Sequence, residues 1–278
     1  MTAQHHIWTN TATLDDHLGG LALHAAPHDA TVALIGSKPF PIDDMPLLRG
    51  VFRCGVGTDN IPFEACAARG IEVCVPSAST IDFIHEETAN FAVYLTLRML
   101  YMDIGTLDPW WKKPRPFLGD QVVLVVGAGN IGGRVVQKLK SLVDVRTFDS
   151  ATDDACTLAE HLQVADVVTL HVPLVDSTRG MVDAAWLRSM KDSAALVNTA
   201  RGPIVDEADL LAELQAGRLR AAFDVYWKEP YTGPLAQLPE DRFLMSPHVA
   251  STSEGFLAGL AGDFTSFLKA LSLEGAAS

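Results

Sequence analysis

The sequence lacks an excess of basic residues, a long uncharged apolar run and an N-terminal basic segment followed by an apolar core. The formal net charge is -13, whereas binding to nucleic-acid phosphates or anionic membranes requires clustered Lys and Arg. No uncharged apolar run reaches membrane-spanning length. We therefore expect no nucleic-acid partner, no membrane insertion and no export.

Cysteine pairs and metal-ligand pairs are also scarce. The four cysteines show no C-x-x-C spacing, so buried free thiols in a reducing, cytoplasmic setting are expected; they are Cys54, Cys66, Cys74 and Cys156. The run His85, Glu86, Glu87 has no second cluster that offers a helix-spaced ligand pair. The sequence therefore predicts no metal site.

What the sequence does contain is the pattern of an α/β protein. Its 278 residues, 48% of them hydrophobic, favour two domains. Short apolar runs alternate with amphipathic stretches, as in parallel sheets with crossover helices. The predicted strands are Thr31 to Ile35, Gly50 to Arg53, Ile71 to Cys74, Val122 to Val126, Val143 to Phe148, Val167 to His171, Ala194 to Asn198 and Arg220 to Asp224.

Three segments connect or cover these strands. Residues Glu86 to Tyr101 are nearly all apolar and free of Pro and Gly, which predicts a buried helix that joins two domains. Asp108 to Gly119 contains three prolines and reads as a hinge or an oligomer arm. After Ser251, apolar residues at helical spacing predict a terminal helix that covers the first unit.

A glycine-rich turn follows the strand that ends at Val126. The motif GAGNIG places Gly127, Gly129 and Gly132 in GxGxxG spacing, with Asn130 and Ile131 between them. The three glycines permit a tight turn, close approach of a pyrophosphate and close packing of helix on strand. The N–H groups at the helix start then suit phosphates. Alone, the pattern is also compatible with an ordinary glycine turn.

Asp149, at the end of the next strand, completes a dinucleotide-binding pattern. A carboxylate there can accept hydrogen bonds from ribose hydroxyls and repels a 2′-phosphate. The following residues, SATDDAC, contain no Lys or Arg that could bind such a phosphate. The sequence therefore predicts NAD rather than NADP as the cofactor.

Three further segments place polar residues after apolar strands: LVNTARGPIVDEADLL, AAFDVYWKEP and FLMSPHVAS. Reduction of a 2-oxo acid needs a cation for the carboxylate and carbonyl, and a group that exchanges a proton near neutral pH. Arg201 and His248 offer these two functions. Taken singly, Arg201 also fits a surface residue, Glu229 a loop acid and His248 a packed side chain.

In this order, downstream of GxGxxG, the three segments resemble the signature blocks of the D-isomer-specific 2-hydroxyacid dehydrogenases, which include phosphoglycerate dehydrogenases, glyoxylate/hydroxypyruvate reductases and D-lactate dehydrogenases. RCGVGTDNIP and ADVVTLHVPLVDSTRGMV resemble further blocks of that family. The resemblance implies an α/β fold with a Rossmann-type doubly wound parallel sheet and a smaller flavodoxin-like substrate domain. It implies a substrate domain of residues 1–97 with 255–278 and an NAD-binding domain of residues 98–254.

The resemblance also implies roles for individual residues. Arg201 would bind the substrate carboxylate and polarise its 2-oxo group, His248 would be the general acid or base, and Glu229 would orient His248 and stabilise its protonated form. Backbone groups at Val56 and Gly57 would help to hold the substrate carboxylate. Residues expected to line the cofactor are Thr199, Ala200, Asp224, Val249, Ala250 and Ser251. For His171, Val172 and Pro173, an adenosine pocket and a simple strand end are equally good interpretations.

The resemblance favours an enzyme that interconverts a small 2-oxo acid and its D-2-hydroxy acid, as a homodimer. One alternative is an NAD(H)-sensing regulatory dimer, similar to corepressors, without significant turnover. Another is related chemistry on phosphite or formate. The chain before RCGVGTDN and the link before the nucleotide strand are shorter than this family predicts. The aromatic residues Trp110, Trp111 and Phe117 are expected in packing or dimer contacts, and Lys38 on an exposed loop.

Overall fold

The computed structural model of the protein describes residues 5–19, 21 and 24–274. The chain divides into two compact units, one formed by Met1–Ile84 with Thr252–Ser278 and the other by His85–Ser251. The boundaries differ from the predicted ones, after residue 97 and before residue 255. Parts of the predicted first domain, at residues 1–4, 20, 22, 23 and 275–278, lie outside the described residues.

The first unit contains a four-stranded parallel sheet. Its strands are β1 (Ile7–Thr9), β2 (Val32–Ile35), β3 (Gly50–Arg53) and β4 (Glu72–Cys74). They lie in the order β1-β2-β3-β4, all parallel. β2 and β3 are buried at every position, which explains their continuous apolar runs. Because the strands lie in the order β1-β2-β3-β4, the strand order of this sheet does not reverse, whereas the 2-1-3-4-5 order of flavodoxin does.

Two α-helices lie wholly within the first unit among the described residues: α1 (Phe63–Ala68) and α7 (Glu254–Glu274). Phe264 and Phe267 of α7 pack against Phe52, with ring centroids 5.2 and 5.8 Å apart. A Cβ at Gly50 would lie 2.6 Å from Leu271, so the glycine lets the helix approach β3 closely. The predicted terminal helix is therefore present and packs on this sheet.

The residues Glu254–Leu273 of α7 would also be long and apolar enough to cross a bilayer, with a mean hydropathy of 1.2. Their large apolar side chains Phe256, Leu260 and Phe264 are buried in the core of the first unit. Asp263 accepts a hydrogen bond from the Ser77 N–H within the same unit, at 2.8 Å. These contacts place one face of the helix in the core of the first unit.

A long helix, α2 (Ala78–Leu100), contains the boundary between the units. It begins before the predicted start at Glu86, and the hydroxyl of Ser77 accepts a hydrogen bond from the Thr80 N–H at 3.4 Å. Serine in this position satisfies an N–H that has no partner within the helix. Beyond α2, β5 (Gly105–Thr106) and β6 (Trp111–Lys112) form a small antiparallel hairpin, and only β6 lies within the segment predicted as irregular.

The second unit contains a six-stranded parallel sheet. Its strands are β7 (Val122–Val126), β8 (Asp144–Phe148), β9 (Val167–Leu170), β10 (Ala195–Asn198), β11 (Arg220–Phe223) and β12 (Phe243–Met245). They lie in the order β12-β11-β10-β9-β7-β8, and every neighbouring pair is parallel. The order reverses between β7 and β9, and ligands of such sheets bind at the carboxyl ends of the strands at this point.

Both faces of this sheet are covered. Leu124, Val168 and Leu196 point into one apolar cluster, and their neighbours Val125 and Val167 point into another. The crossover helices are α3 (Asn130–Leu139), α4 (Ala155–Val164), α5 (Ala184–Ser189) and α6 (Glu207–Gln215). Aspartates 154, 183 and 206 cap the last three at their N-termini. The predicted α/β class with a doubly wound parallel sheet is confirmed.

Candidate active site

The glycine turn lies between β7 and α3, where strand order reverses. Gly127 has a φ of +89°, and a Cβ on it would lie 2.8 Å from the His171 carbonyl oxygen. A Cβ at Gly132 would lie 1.9 Å from the Gly127 carbonyl oxygen. These two glycines are therefore required by the turn itself.

Gly129 differs from its two neighbours in the motif. It is exposed, and a Cβ on it would meet no atom within 4 Å among the described residues. The protein itself thus does not need a glycine at this position. The open space directly before the first turn of α3 suits a ligand that approaches the backbone closely, as a pyrophosphate does.

Asp149 follows β8, which pairs with β7. One of its carboxylate oxygens accepts a hydrogen bond from the Ala151 N–H at 3.0 Å, while its own N–H donates to Asp153 at 2.8 Å. The Gly127 N–H donates to the Phe148 carbonyl at 2.8 Å, which fixes the glycine turn beside the end of β8. Asp149 is therefore held next to the turn, half-buried, as the dinucleotide pattern requires.

His171 follows β9 on the other side of the turn. Its Nε2 lies 2.9 Å from the Thr169 hydroxyl, and its Cβ would be 3.2 Å from a Cβ on Gly132. Burial of the ring lowers the pKa of His171 to about 4. The imidazole is therefore neutral near pH 7. Val172 also lies against the turn, and Pro173 is exposed.

Arg201 lies in a loop that Asn198, the last residue of β10, holds in shape. The Asn198 side chain donates to the Arg201 carbonyl and accepts from the Ala200 N–H, both at 2.9 Å. A Cβ at Gly202 would lie 2.1 Å from the Tyr226 carbonyl carbon, so this loop crosses the loop after β11 at close range. The buried Thr199 hydroxyl has no hydrogen-bond partner among the described residues.

Glu229 and His248 form a hydrogen-bonded pair. His248 Nδ1 lies 2.9 Å from Glu229 Oε2 and 3.0 Å from Oε1, and the Tyr226 N–H donates to Oε1 at 3.2 Å. Because Nδ1 faces a carboxylate, it carries the proton in the neutral ring, and Nε2 is the atom available for proton exchange. The structure thus brings together two predicted site residues from different loops.

The carboxylate of Glu229 is ionised more readily than an ordinary glutamate. Burial alone raises the pKa of Glu229, but the hydrogen bond and charge of His248, the Tyr226 N–H and the charge of Arg201 together lower it. Arg201 therefore lies close enough to act electrostatically on the pair. One cation, one carboxylate and one imidazole meet at this edge of the sheet.

Asp224 supports the loop that carries His248. Its fully buried carboxylate accepts hydrogen bonds from the Ser246 hydroxyl at 2.6 Å and from the Val249 and Ala250 N–H groups at 2.9 Å. His248, between them, has a φ of +56°, which is rare for a residue other than glycine. Asp224 thus stabilises a strained backbone turn that sets the position of the imidazole.

The predicted residues Val56 and Gly57 belong to the first unit. They lie in the loop after β3, where the buried Arg53 donates from Nε to the Gly57 carbonyl at 2.7 Å. The Asn60 side chain donates to the carbonyls of Gly36 and Lys38, at 2.9 and 2.7 Å. Two loops at the carboxyl edge of this sheet are thereby tied together. Lys38 is exposed, as its loop position suggests.

The expectation of buried thiols is only partly right. All four cysteines are free, but only Cys66 is buried, Cys54 and Cys74 are half-buried, and Cys156 is exposed. Cys156 lies in the first turn of α4, whose outer face is in solvent. Within the part of the chain that the structure describes, no group of three or more His, Cys, Asp and Glu side chains could hold a metal ion.

Three residues that support the loops of the site were not predicted from the sequence: Asn198, Tyr226 and Ser246. Asn198 and Tyr226 are buried; Asn198 bonds to backbone groups of the loop that directly follows it, and Tyr226 bonds to the backbone of Ser246 after the next strand. A polar residue at a strand end, such as Asn198, is a signal that could have been used. Nothing in the sequence pattern distinguishes Tyr226 from an ordinary core aromatic.

Comparisons with known proteins agree with this geometry. Residues 102–250 match the NAD-binding domain of the D-isomer specific 2-hydroxyacid dehydrogenases, and residues 23–84 match the catalytic domain of the same family. The matched NAD-binding domain contains the glycine turn, Asp149 and the Arg201, Glu229 and His248 loops. The open space at Gly129 and the unpartnered Thr199 hydroxyl fit a bound dinucleotide. The cofactor of this unit is therefore NAD.

Similar curated proteins include D-3-phosphoglycerate dehydrogenase of Archaeoglobus fulgidus, 33% identical over 74% of this chain and 42% of its own length. Glyoxylate reductase of Thermococcus kodakarensis is 33% identical over 84% of this chain and 77% of its own length. The chain thus spans less than half of the first relative. The crystal structure of D-lactate dehydrogenase from Aquifex aeolicus, with NAD and lactic acid, shares the fold, with a TM-score of 0.78 over 97% of this chain and 95% of that one, at 22% identity. From the matched domains and these relatives, the chain belongs to the D-isomer specific 2-hydroxyacid dehydrogenase family.

Proposed function

We propose that this chain is an NAD-dependent dehydrogenase that interconverts a small 2-oxo acid and its D-2-hydroxy acid. Residues 98–254 would be the NAD-binding domain, and residues 1–97 with 255–278 would be the substrate domain. Glyoxylate reductase of Thermococcus kodakarensis, which this chain resembles over most of its length, supports a small 2-oxo acid as substrate.

The observation that carries this proposal is the hydrogen bond between His248 Nδ1 and Glu229, at 2.9 Å, with the charge of Arg201 acting on the same carboxylate. A histidine held this way can give or take one proton at Nε2, and a neighbouring carboxylate stabilises the protonated ring. A neighbouring guanidinium suits a substrate carboxylate and carbonyl. The arrangement thus provides the groups that 2-oxo acid reduction needs.

In the proposed mechanism, bound NADH supplies the hydride for the substrate carbonyl carbon. Arg201 binds the carboxylate and polarises the 2-oxo group, which stabilises the negative charge that develops on its oxygen. His248 Nε2 donates a proton to that oxygen, and Glu229 holds the ring and stabilises its charge before transfer. In the reverse direction His248 is the base. Backbone groups at Val56 and Gly57 assist in binding the carboxylate.

The proposed cofactor contacts follow the loops at the carboxyl edge of the second sheet. The glycine turn with Asn130 and Ile131 receives the pyrophosphate, and Asp149 accepts hydrogen bonds from the ribose hydroxyls. His171, Val172 and Pro173 line the adenosine side of the turn. Thr199, Ala200, Asp224, Val249, Ala250 and Ser251 line the nicotinamide side, where the Thr199 hydroxyl is buried without a partner among the described residues.

We also propose that the protein is a homodimer whose contact includes the hairpin segment, defined as residues 104–117. Its large apolar side chains are strongly exposed in the single chain: Leu107 by 81%, Trp110 by 74% and Phe117 by 74%. Monomeric proteins rarely expose so many adjacent apolar side chains, and buried aromatic side chains commonly anchor protein interfaces.

The proposed reaction is tested by oxidation of NADH with glyoxylate, hydroxypyruvate, pyruvate, phenylpyruvate and 2-oxoglutarate, followed by absorbance. We expect turnover with at least one acid, and chiral chromatography of a product with a stereocentre should show the D enantiomer. The L enantiomer would contradict the proposed family chemistry. Binding of NADH without turnover of any acid would favour the NAD(H)-sensing alternative.

A further inference from the structure

Tyr226 connects the two loops that carry Glu229 and His248. Its hydroxyl lies 2.9 Å from the carbonyl oxygens of Phe223 and Ser246, and it accepts a hydrogen bond from the Ser246 N–H at 3.1 Å. Phe223 is the last residue of β11, and Ser246 directly follows β12. One phenol group thus contacts the ends of both strands that lead into the site, beside the backbone hydrogen bond from the Ser246 N–H to the Phe223 carbonyl at 3.0 Å.

The backbone of the same residue contacts the acid of the pair. The Tyr226 N–H donates to Glu229 Oε1 at 3.2 Å, and that oxygen lies 3.0 Å from His248 Nδ1. Tyr226 therefore acts on Glu229 through its N–H and on the segment before His248 through its hydroxyl.

The ring of Tyr226 is rigidly placed. It is 8% exposed and stacks on Tyr231, with centroids 5.0 Å apart and an interplanar angle of 18°. Burial of the hydroxyl raises the pKa of Tyr226, so the phenol stays protonated and keeps its donor. A fixed ring with a neutral hydroxyl defines the separation of the strand ends more narrowly than an apolar contact does.

Resting on the function proposed above, we infer that Tyr226 is a positioning residue for the acid–base pair. Its hydroxyl holds the Ser246–His248 segment so that His248 Nδ1 faces Glu229, and this contact keeps the neutral ring in the tautomer with the proton on Nδ1. The groups that face the pair in the second unit are Arg201, whose charge acts on Glu229, and Asp224, which holds the backbone after His248. Tyr226 touches neither substrate nor cofactor in this role.

The test compares Tyr226→Phe with Tyr231→Phe, a control from the same aromatic stack. The Tyr231 hydroxyl also makes two hydrogen bonds, to Glu207 at 2.6 Å and from the Leu235 N–H at 3.2 Å, but neither reaches the pair. In Tyr226→Phe the Phe223 carbonyl keeps the Ser246 N–H as a donor, at 3.0 Å, and the ring still stacks, so the variant is expected to fold. Thermal melting of both variants checks this.

Two readouts are measured. The first is the tautomer of His248 from imidazole ¹⁵N shifts in the protein without ligands, with the signal assigned by its loss in His248→Gln. The second is the steady-state rate with the best acid of the panel. Tyr226→Phe should shift His248 toward the tautomer with the proton on Nε2 and lower kcat about tenfold, with KM for the acid changed less than twofold. Tyr231→Phe should leave both readouts unchanged.

An unchanged His248 tautomer in Tyr226→Phe would overturn the inference, even if the variant is less stable than the wild type. Equal changes in Tyr226→Phe and Tyr231→Phe would overturn it too, since they would report general loosening of the aromatic stack. A tautomer shift confined to Tyr226→Phe, in a protein whose wild type turns over no acid, would support the positioning role while contradicting the proposed reaction. The two failures are therefore distinguishable.

Discussion

At the scale of single residues, the site depends on carboxylates with different partners. Asp224 accepts three hydrogen bonds from the protein itself, which gives it the character of a backbone support. Glu229 accepts one backbone N–H and faces an imidazole, so its charge is directed at a group that can change protonation. Burial and partners, not residue type, separate the two roles.

Glu229 should make stability depend on pH. Its pKa is lowered in the folded protein from an ordinary value of 4.5. A lowered pKa contributes stability above the unfolded value, and this contribution is lost as pH falls through the folded value. We expect the advantage of the wild type over Glu229→Gln in free energy of unfolding to shrink as pH falls below about 4.5. Urea unfolding between pH 5 and pH 3 measures this change, and an advantage that grows below pH 4.5 would contradict the expectation.

Asp149 should set the preference between NADH and NADPH. Its carboxylate lies beside the glycine turn and repels a 2′-phosphate. Asp149→Asn should reduce the ratio of kcat/KM for NADH to that for NADPH by about tenfold or more, because a charged hydrogen-bond acceptor is lost. Asp154→Asn, at the exposed N-cap of α4, is the matched control and should leave the ratio unchanged. A ratio unaffected by Asp149→Asn would place the ribose elsewhere.

Much of the site was predictable at this scale because its residues follow apolar strands in a recognisable order. Arg201, Glu229 and His248 each stand a few residues after a strand of the same sheet. The contacts of Tyr226 with Ser246 were not predictable, since they depend on which loops cross. That crossing is set by tertiary packing, such as the close approach at Gly202.

At the scale of elements, the turn between β7 and α3 contains glycines of two kinds. Gly127 and Gly132 are required by packing within the turn, and Gly129 is proposed to allow close approach of the cofactor. Gly132→Ala should lower the free energy of unfolding by about 2 kcal/mol or more, because its Cβ would overlap the Gly127 carbonyl. Gly129→Ala has room for its Cβ in the protein alone, so stability should change by less than about 1 kcal/mol while KM for NADH rises. Thermal melting and NADH titration measure both. Equal effects of the two variants on melting would contradict this division.

Strands β7, β9, β10 and β11 were predicted almost to the residue because parallel strands buried on both faces are continuous apolar runs. β8 was predicted although its residues are half-buried or exposed, and β12 was given no predicted range. β1 was not predicted, and the β5–β6 hairpin was missed because its strands contain only two residues each. The first two turns of α2, residues 78–85, were missed because Ser79 and Thr80 are weak helix formers, and the capping contact of Ser77 is not visible as an apolar pattern.

At the scale of the whole molecule, the two units are separate sheets with separate cores, and the last helix of the chain belongs to the first. The core of a domain formed from both ends of a chain is complete only when the C-terminal segment has packed against it. α7 supplies Phe264 and Phe267 to that core. The sequence indicated this return because the terminal segment is apolar at helical spacing.

The hairpin segment should control assembly. Substitution of Leu107 and Trp110 by Glu should convert the proposed dimer to monomers, because charged side chains would be buried in the contact. Light scattering should show a mass near that of one 29.9 kDa chain for the variant and about twice that for the wild type. Substitution of Leu273, exposed by 73% on α7, is the control and should leave the mass unchanged. A wild type that is already monomeric would contradict the proposal.

Arg201 and His248 are proposed to act in catalysis rather than in cofactor binding. This role is tested by the rate of NADH oxidation with the best 2-oxo acid, measured for the wild type, Arg201→Gln and His248→Gln. The affinity for NADH is measured in parallel. The exposed residues Arg188 and His28 provide the controls, Arg188→Gln and His28→Gln. We predict that both site variants lose about 10²-fold or more in kcat/KM for the acid while NADH affinity changes less than about threefold. A His248→Gln variant that retains wild-type turnover, or losses matched by the surface controls, would contradict the account.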